Sequence, residues 1–201
     1  MKVTPARVLW VAVAAAALGL LASHWYEGGP LLRTDRGQQA LQAAADLSAP
    51  PPPDGVTPAR PGDPMPAIRL PDPEGNVVDL ATYRGRPLLI NVWASWCGPC
   101  IKEMPELDRF AREQGADGTR VVGLALDTPQ AVKDFLARVP VAYPIVLDTP
   151  GPADASVWLG NAKGVLPYTV LIDARGRIVK QKIGPFVEGE ITQWAAANQA
   201  P

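Results

Sequence analysis

The sequence predicts an α/β domain, a mixed central sheet flanked by helices, preceded by a transmembrane anchor and a proline-rich linker. Three observations carry this expectation. Two continuous apolar runs, Leu88–Ala94 and Val121–Asp127, have the pattern of strands buried on both faces. Stretches of helical periodicity alternate with them, which implies parallel strands joined by crossover helices. Finally, 23 of the 201 residues are proline, and eight of those fall between residues 47 and 66.

The elements follow in chain order. Lys2 and Arg7 precede an uncharged apolar run from Val8 to Ala22, the pattern of a signal segment. Its end, Leu20-Leu21-Ala22-Ser23, is a poor cleavage site, and Trp10, Trp25 and Tyr26 are placed as interfacial aromatics. Residues 1–26 therefore read as an uncleaved signal anchor, a single-pass helix in the inner membrane. The two basic residues stay on the cytoplasmic side, so the rest of the chain faces the periplasm or another extracytoplasmic space. Residues 27–65 read as a Pro-rich linker. Thr34–Asp46 predicts a short helix, and the proline cluster leans toward extended polyproline geometry.

Residues 66–201 form the predicted domain. Ala67–Leu70 and Asn76–Leu80 read as a strand pair around a turn at Pro73–Asn76. The run Leu88–Ala94 is the first buried strand. A helix follows Cys97, with Ile101, Met104, Leu107 and Ala111 on successive turns. After Val121–Asp127, Thr128 caps a helix with Pro129 at its first position, and Val132, Phe135, Leu136 and Val139 form its apolar stripe. Pro144–Asp148 predicts a short strand and Pro152–Asn161 a helix. Tyr168–Asp173 and Arg177–Ile183 form a hairpin across Ala174-Arg175-Gly176. A last helix over Val187–Asn198 places Val187, Ile191, Trp194 and Ala195 on one face. Trp93, Trp158 and Trp194 are expected in the core.

Composition narrows the chemistry. A net charge of −1 argues against a nucleic-acid binder. Two cysteines and one distant histidine, His24, do not close a structural zinc site, and they leave a Ser–His–Asp triad without its base. What remains for Cys97 and Cys100 is redox chemistry with each other, or no chemistry at all.

The two cysteines lie in Trp96-Cys97-Gly98-Pro99-Cys100, where a buried strand turns into a helix. α/β folds keep their sites at the carboxyl ends of strands. Residues three apart share a helix face, so the two sulfurs come within bonding distance. Unsatisfied N–H groups and the helix dipole favour an anion at the first turn, which lowers the pKa of Cys97, the outer cysteine. Cys97 is thus the attacking thiolate, and Cys100, one turn inside, resolves the mixed disulfide. Pro99 suits a helix start, where its missing N–H is not needed.

Trp-Cys-Gly-Pro-Cys after a buried strand in a βαβ setting is highly specific. With Asn91-Val92-Trp93-Ala94-Ser95 before it, Ile101-Lys102-Glu103-Met104-Pro105 after it, and Gly164-Val165-Leu166-Pro167-Tyr168 downstream, the sequence resembles the thioredoxin superfamily. Within that superfamily it resembles the membrane-anchored TlpA-like thiol–disulfide oxidoreductases, over about residues 64–198. The resemblance implies a thioredoxin-like fold with an N-terminal β-hairpin and an αβ element inserted at residues 129–148. It makes Pro167 the cis-proline facing the cysteines and Pro105 the proline of the active-site helix. Trp96, Gly98, Pro99 and the backbone of Leu166 then form the substrate-binding rim. Asn91 stands where thioredoxin has a buried acid, and an amide carries no proton. Glu103 fits the glutamate that TlpA-like proteins place one turn after the second cysteine, and a buried carboxylate there would accept the proton of Cys100. No cofactor beyond a redox-active Cys97–Cys100 disulfide and no metal is expected. Thr169 reads first as a strand residue, and Lys102 and Arg86 are candidate modifiers of the local potential.

The resemblance implies a disulfide reductase acting on exported proteins, of the cytochrome c maturation or metal-site assembly type, with protein disulfides as substrates and a membrane electron donor. The alternatives are net disulfide oxidation or isomerisation with the same residues, and a non-catalytic tethered binding module. A copper carrier of this broad fold would use C-x-x-x-C and a downstream histidine, neither of which is present.

Overall fold

The computed structural model of the chain describes residues 30–196. The apolar run expected as a signal anchor lies outside those residues. Among the described residues, no helix is long and apolar enough to cross a membrane. The chain divides into two compact units, one up to Leu41 and one from Gln42 onward. The helix expected at 34–46 is present as α1, Asp35–Ser48. The Thr34 hydroxyl accepts from the Gly37 N–H at 3.1 Å, satisfying one of the donors that a helix start leaves over.

The second unit is built on a five-stranded sheet. Its strands are β3 (Leu88–Trp93), β4 (Arg120–Leu126), β5 (Ile145–Asp148), β6 (Tyr168–Ile172) and β7 (Ile178–Ile183), in the spatial order β5-β4-β3-β6-β7. β3 pairs in parallel with β4, and β4 with β5, while β6 and β7 add antiparallel to the other side of β3. This is the mixed sheet with a terminal hairpin that the sequence predicts. The small pair β1 (Arg69–Pro71) and β2 (Val77–Asp79) forms its own antiparallel ladder. The helices are α2 (Gly98–Glu113), α3 (Pro129–Leu136), α4 (Ala155–Trp158) and α5 (Glu190–Ala196).

β3 is buried along its whole length, and its alternation sorts the core into two layers. Leu89 and Trp93 join Met104, Leu107 and Phe110 of α2, Val132 and Phe135 of α3, and Ile191 and Trp194 of α5. Leu88, Ile90 and Val92 face the opposite layer with Leu80, Leu159, Tyr168 and Val170. Asn91, between Leu89 and Trp93 in the period of two, therefore belongs to the α2 side.

Four expectations are corrected. The helix expected over Pro152–Asn161 shrinks to one turn, α4. Asp154 takes the N–H groups of Ser156 (2.8 Å) and Val157 (3.3 Å), which fixes its start, and Gly160 at φ +104 ends it. Trp158 is half-buried rather than core, with its indole N–H donating to the Ala153 carbonyl at 3.1 Å. α5 begins at Glu190 and not at Val187, because Glu190 Oε2 reaches back to the Val187 N–H at 3.0 Å and Gly189 turns the chain at φ +78. Val187 is consequently exposed.

The fourth correction moves a boundary. Residues 59–65, expected within the linker, are part of the folded unit. Ala59 and Met65 are buried. Gly62 N–H donates to the Ile178 carbonyl at 2.7 Å, Ile178 N–H to Asp63 at 2.9 Å and Met65 N–H to Gly176 at 2.8 Å. The side-chain amide of Gln181 donates to the carbonyls of both Ala59 (2.8 Å) and Leu159 (2.9 Å). Proline content signals extended backbone, and extended backbone can line a sheet edge as readily as it can span solvent.

Candidate active site

The site sits at the carboxyl end of β3. The turn Ala94–Cys97 is closed by a Cys97 N–H to Ala94 carbonyl bond of 3.0 Å. It is tied to the end of β4 by Asp127, whose Oδ2 accepts both the backbone N–H (3.1 Å) and the hydroxyl (2.6 Å) of Ser95. Burial works against that carboxylate, but the Ser95 bonds and the Thr128 N–H hold Asp127 below its ordinary pKa.

Cys97 is the N-cap of α2, with φ −82 and ψ 97. Its sulfur accepts the Cys100 N–H at 3.3 Å, so one of the free donors of the helix start points at it. Gly98 and Pro99 occupy the first two helical positions, where the proline forfeits no bond. Cys97 and Cys100 are joined as a disulfide with Cα atoms 5.3 Å apart. Cys97 keeps 5% exposure and Cys100 none, so only Cys97 is open to attack from solvent. Trp96 is 70% exposed beside it, and Gly98 and Pro99 are also at the surface. Pro105 is accommodated inside a continuous α2.

The Leu166–Pro167 bond is cis. Pro167 is buried one residue before the β6 pairing of Tyr168 with Val92, hence at the same sheet end as the cysteine turn. Leu166 is half-buried against the core layer that holds both cysteines.

Glu103 lies one helical turn beyond Cys100 and is 2% exposed. Its Oε1 accepts from Asn91 Nδ2 at 2.8 Å and its Oε2 from the Phe186 N–H at 2.7 Å. The Asn91 amide also donates to Thr169 Oγ1 at 3.1 Å, while its own Oδ1 is buried without a partner. Burial pushes the Glu103 carboxyl up to about 7. The Phe186 N–H, the Asn91 amide and the charge of Lys182 oppose that rise, and the charge of Glu190 adds to it. Glu103 is thus a carboxyl poised to exchange a proton near neutral pH.

The structure brings Cys97, Cys100, Trp96, Gly98 and Pro99 together on one turn, sets Pro167 and Leu166 at the same end of the sheet, and places Glu103 below them. It does not gather the other two candidates. Lys102 is exposed on α2, and Arg86 bonds the Gly115 and Gly118 carbonyls before the start of β3, at the far end of that strand. Sequence reasoning missed Asp127, Lys182, Glu190 and the Phe186 N–H. Lys182 closes the polar run Lys180-Gln181-Lys182 of β7 and so reads as part of a solvated strand. Its register with Thr169 is not visible in the sequence.

Comparison with known proteins agrees with this geometry. Residues 60–198 match the Redoxin family. The thiol-disulfide oxidoreductase ResA of Bacillus subtilis is 30% identical over 131 residues, covering 65% of this chain and 71% of that protein. The sporulation thiol-disulfide oxidoreductase A of the same organism is 30% identical over 115 residues, 55% of this chain and 67% of that protein. Among solved structures, the thioredoxin-related protein of Neisseria meningitidis serogroup B has a TM-score of 0.58 at 31% identity, covering 64% of this chain and 96% of that one. StoA of Bacillus subtilis has a TM-score of 0.53 at 27% identity, covering 65% and 96%.

Proposed function

The chain belongs to the redoxin family and is a thiol–disulfide oxidoreductase, and from that premise we propose that it is a membrane-tethered reductase of disulfides in exported proteins. The observation that carries the chemistry is the asymmetric pair: Cys97 reachable at a helix N-terminus, Cys100 sealed behind it, and a buried carboxyl one turn further in.

In the reduced enzyme the Cys97 thiolate, stabilised by the helix start, attacks a substrate disulfide. One substrate sulfur leaves and a mixed disulfide forms. Cys100 then gives its proton to Glu103 and attacks Cys97. The Cys97–Cys100 bond forms, the second substrate sulfur departs as a thiolate, and two electrons have passed to the substrate. Pro167 and Leu166 line the substrate side, with Trp96, Gly98 and Pro99 as the apolar rim. Turnover needs a membrane dithiol donor to reopen the disulfide.

The Gly98-Pro99 centre and the signal-anchor pattern of residues 1–26 support the reducing, extracytoplasmic reading. Apocytochrome c and copper-site assembly proteins are the candidate substrate classes. Cys97→Ala is expected to abolish reduction of a model disulfide, and Cys100→Ala to trap substrates on Cys97. Full activity in Cys97→Ala would overturn the mechanism. Direction is read by acid quenching of intact cells followed by thiol alkylation. A mostly reduced pair supports the reductase, and a mostly oxidised one favours net oxidation or isomerisation.

A further inference from the structure

We propose that Lys182 is a positioning residue for the reaction, a buried cation shared by Glu190 and Glu103 that sets the charge state in which Glu103 meets the Cys100 proton. The inference rests on the proton-acceptor role just given to Glu103.

Sheet register carries the argument. Asn91 of β3 pairs with Thr169 of β6, and Thr169 pairs with Lys182 of β7. The three residues form one row across three neighbouring strands. Residues paired in register share a face of the sheet, and Asn91 and Thr169 are joined by a hydrogen bond on the α2 side. Lys182 therefore points to the layer that holds Glu103. It is 2% exposed, a rare state for a lysine without a partner.

Its partner is Glu190 at the start of α5, whose Oε1 lies 3.1 Å from Nζ. The ammonium also lies 5.2 Å from the centre of the Phe186 ring. The backbone N–H of that same Phe186 donates to Glu103 Oε2. Lys182, Glu190 and Glu103 thus converge on one short segment between β7 and α5.

Lys182 pairs with the Glu190 carboxylate and acts on the Glu103 carboxyl through its charge. With Glu103 ionised, the group carries a net charge of −1 in a buried layer. When Glu103 takes the proton of Cys100, the group becomes neutral and Lys182 is balanced by Glu190 alone. Lys182 and Glu190 hence act on Glu103 in opposite senses. The other groups around Glu103 are few. Cys100 is tied in the disulfide of the oxidised chain. Glu106 of α2 is held by Arg109 at 2.7 Å and by the Gly189 N–H at 2.9 Å. Lys180 lies 5.9 Å over the Trp194 ring, and Tyr143 contributes a buried phenol that burial keeps protonated. Asn91 and Thr169 are neutral.

The test is a carboxyl titration of the full chain, in both redox states, by carbon NMR with labelled glutamate, the Glu103 resonance being assigned by its loss in Glu103→Gln. Lys182→Met keeps the packing of the stem and removes the charge, and is expected to lower the ionised-to-protonated ratio of Glu103 at fixed pH about tenfold. Glu190→Gln is expected to raise it, and Lys182→Arg to restore it. The pH profile for reduction of insulin disulfides by the pre-reduced chain should move with the same signs. A purely structural role would move all variants one way or none. Glu103 titrating near neutral with Lys182→Met and Glu190→Gln inert, or shifted alike, would sink the role of Lys182 alone. No Glu103 titration between pH 5 and 9 in the parent chain would remove the proton-acceptor reading and this inference with it.

Discussion

Replacing Glu103 by glutamine should change how stability depends on pH, and the structure sets the size and sign. The Glu103 carboxyl rises from 4.5 to about 7 on folding. Below pH 4.5 it is protonated in both the unfolded and the folded chain, and its contribution to stability is fully present. Between 4.5 and 7 the unfolded chain releases the proton while the folded chain keeps it, so stability falls as pH rises. Above 7 both are ionised, and the folded state carries the cost of a buried carboxylate, about 3 kcal/mol relative to the acid limit. Glutamine does not titrate. Its carbonyl can still accept the Phe186 N–H, and its NH2 can donate to Asn91 once that amide turns its unpartnered oxygen inward. Urea unfolding of the oxidised parent and Glu103→Gln, from pH 4 to 8, reads the effect. The parent-minus-variant stability should fall by about 3 kcal/mol between pH 4.5 and 7. A difference that stays level across that range would refute the reasoning, because it would mean Glu103 has the same proton affinity folded and unfolded.

Other perturbations test the frame of the site. Asp127→Ala removes the acceptor of both Ser95 bonds and should cost about 1–3 kcal/mol, with loss of hydrogen-exchange protection at the Ser95 amide. Gly160→Ala places a Cβ against the Gln181 amide, the Ala59 carbonyl and the Tyr168 hydroxyl at φ +104, so it should lower the urea midpoint by more than about 2 kcal/mol of stability. Met65→Ala empties a buried position in the segment before the predicted domain start and should cost about 2–5 kcal/mol; an unchanged midpoint would put that segment outside the cooperative fold.

Much of this was legible in the sequence because the physics was local. Thr128 followed by Pro129 marks a helix start by chemistry within three residues, and α3 begins there. The apolar runs at 88–94, broken only by Asn91, and at 121–126 leave little choice but doubly covered strands. Cys97 and Cys100 are three residues apart, and helix geometry alone brings them together. What escaped depends on partners far along the chain. Asp127 reads as a strand end until Ser95, 32 residues earlier, is seen donating to it. Lys182 reads as a surface strand lysine until Thr169 and Asn91 are aligned with it. Prolines 61, 64 and 66 read as spacer because composition reports what backbone is extended, not what it lies against.

That extended segment has a consequence for how the enzyme meets its substrates. β7 is one of the two edge strands of the sheet, and an open strand edge invites pairing with any stretch of unfolded chain. A thiol–disulfide oxidoreductase that acts on proteins encounters such stretches whenever a client is not fully folded. Residues 59–65 occupy the first part of β7 with the chain's own backbone, and Pro61 and Pro64 offer no N–H to a further strand. A client chain that drifts onto residues 176–178 finds that stretch of the edge already taken. The covered stretch lies at the Ile172 end of β6, opposite the end that carries Pro167 and Cys97.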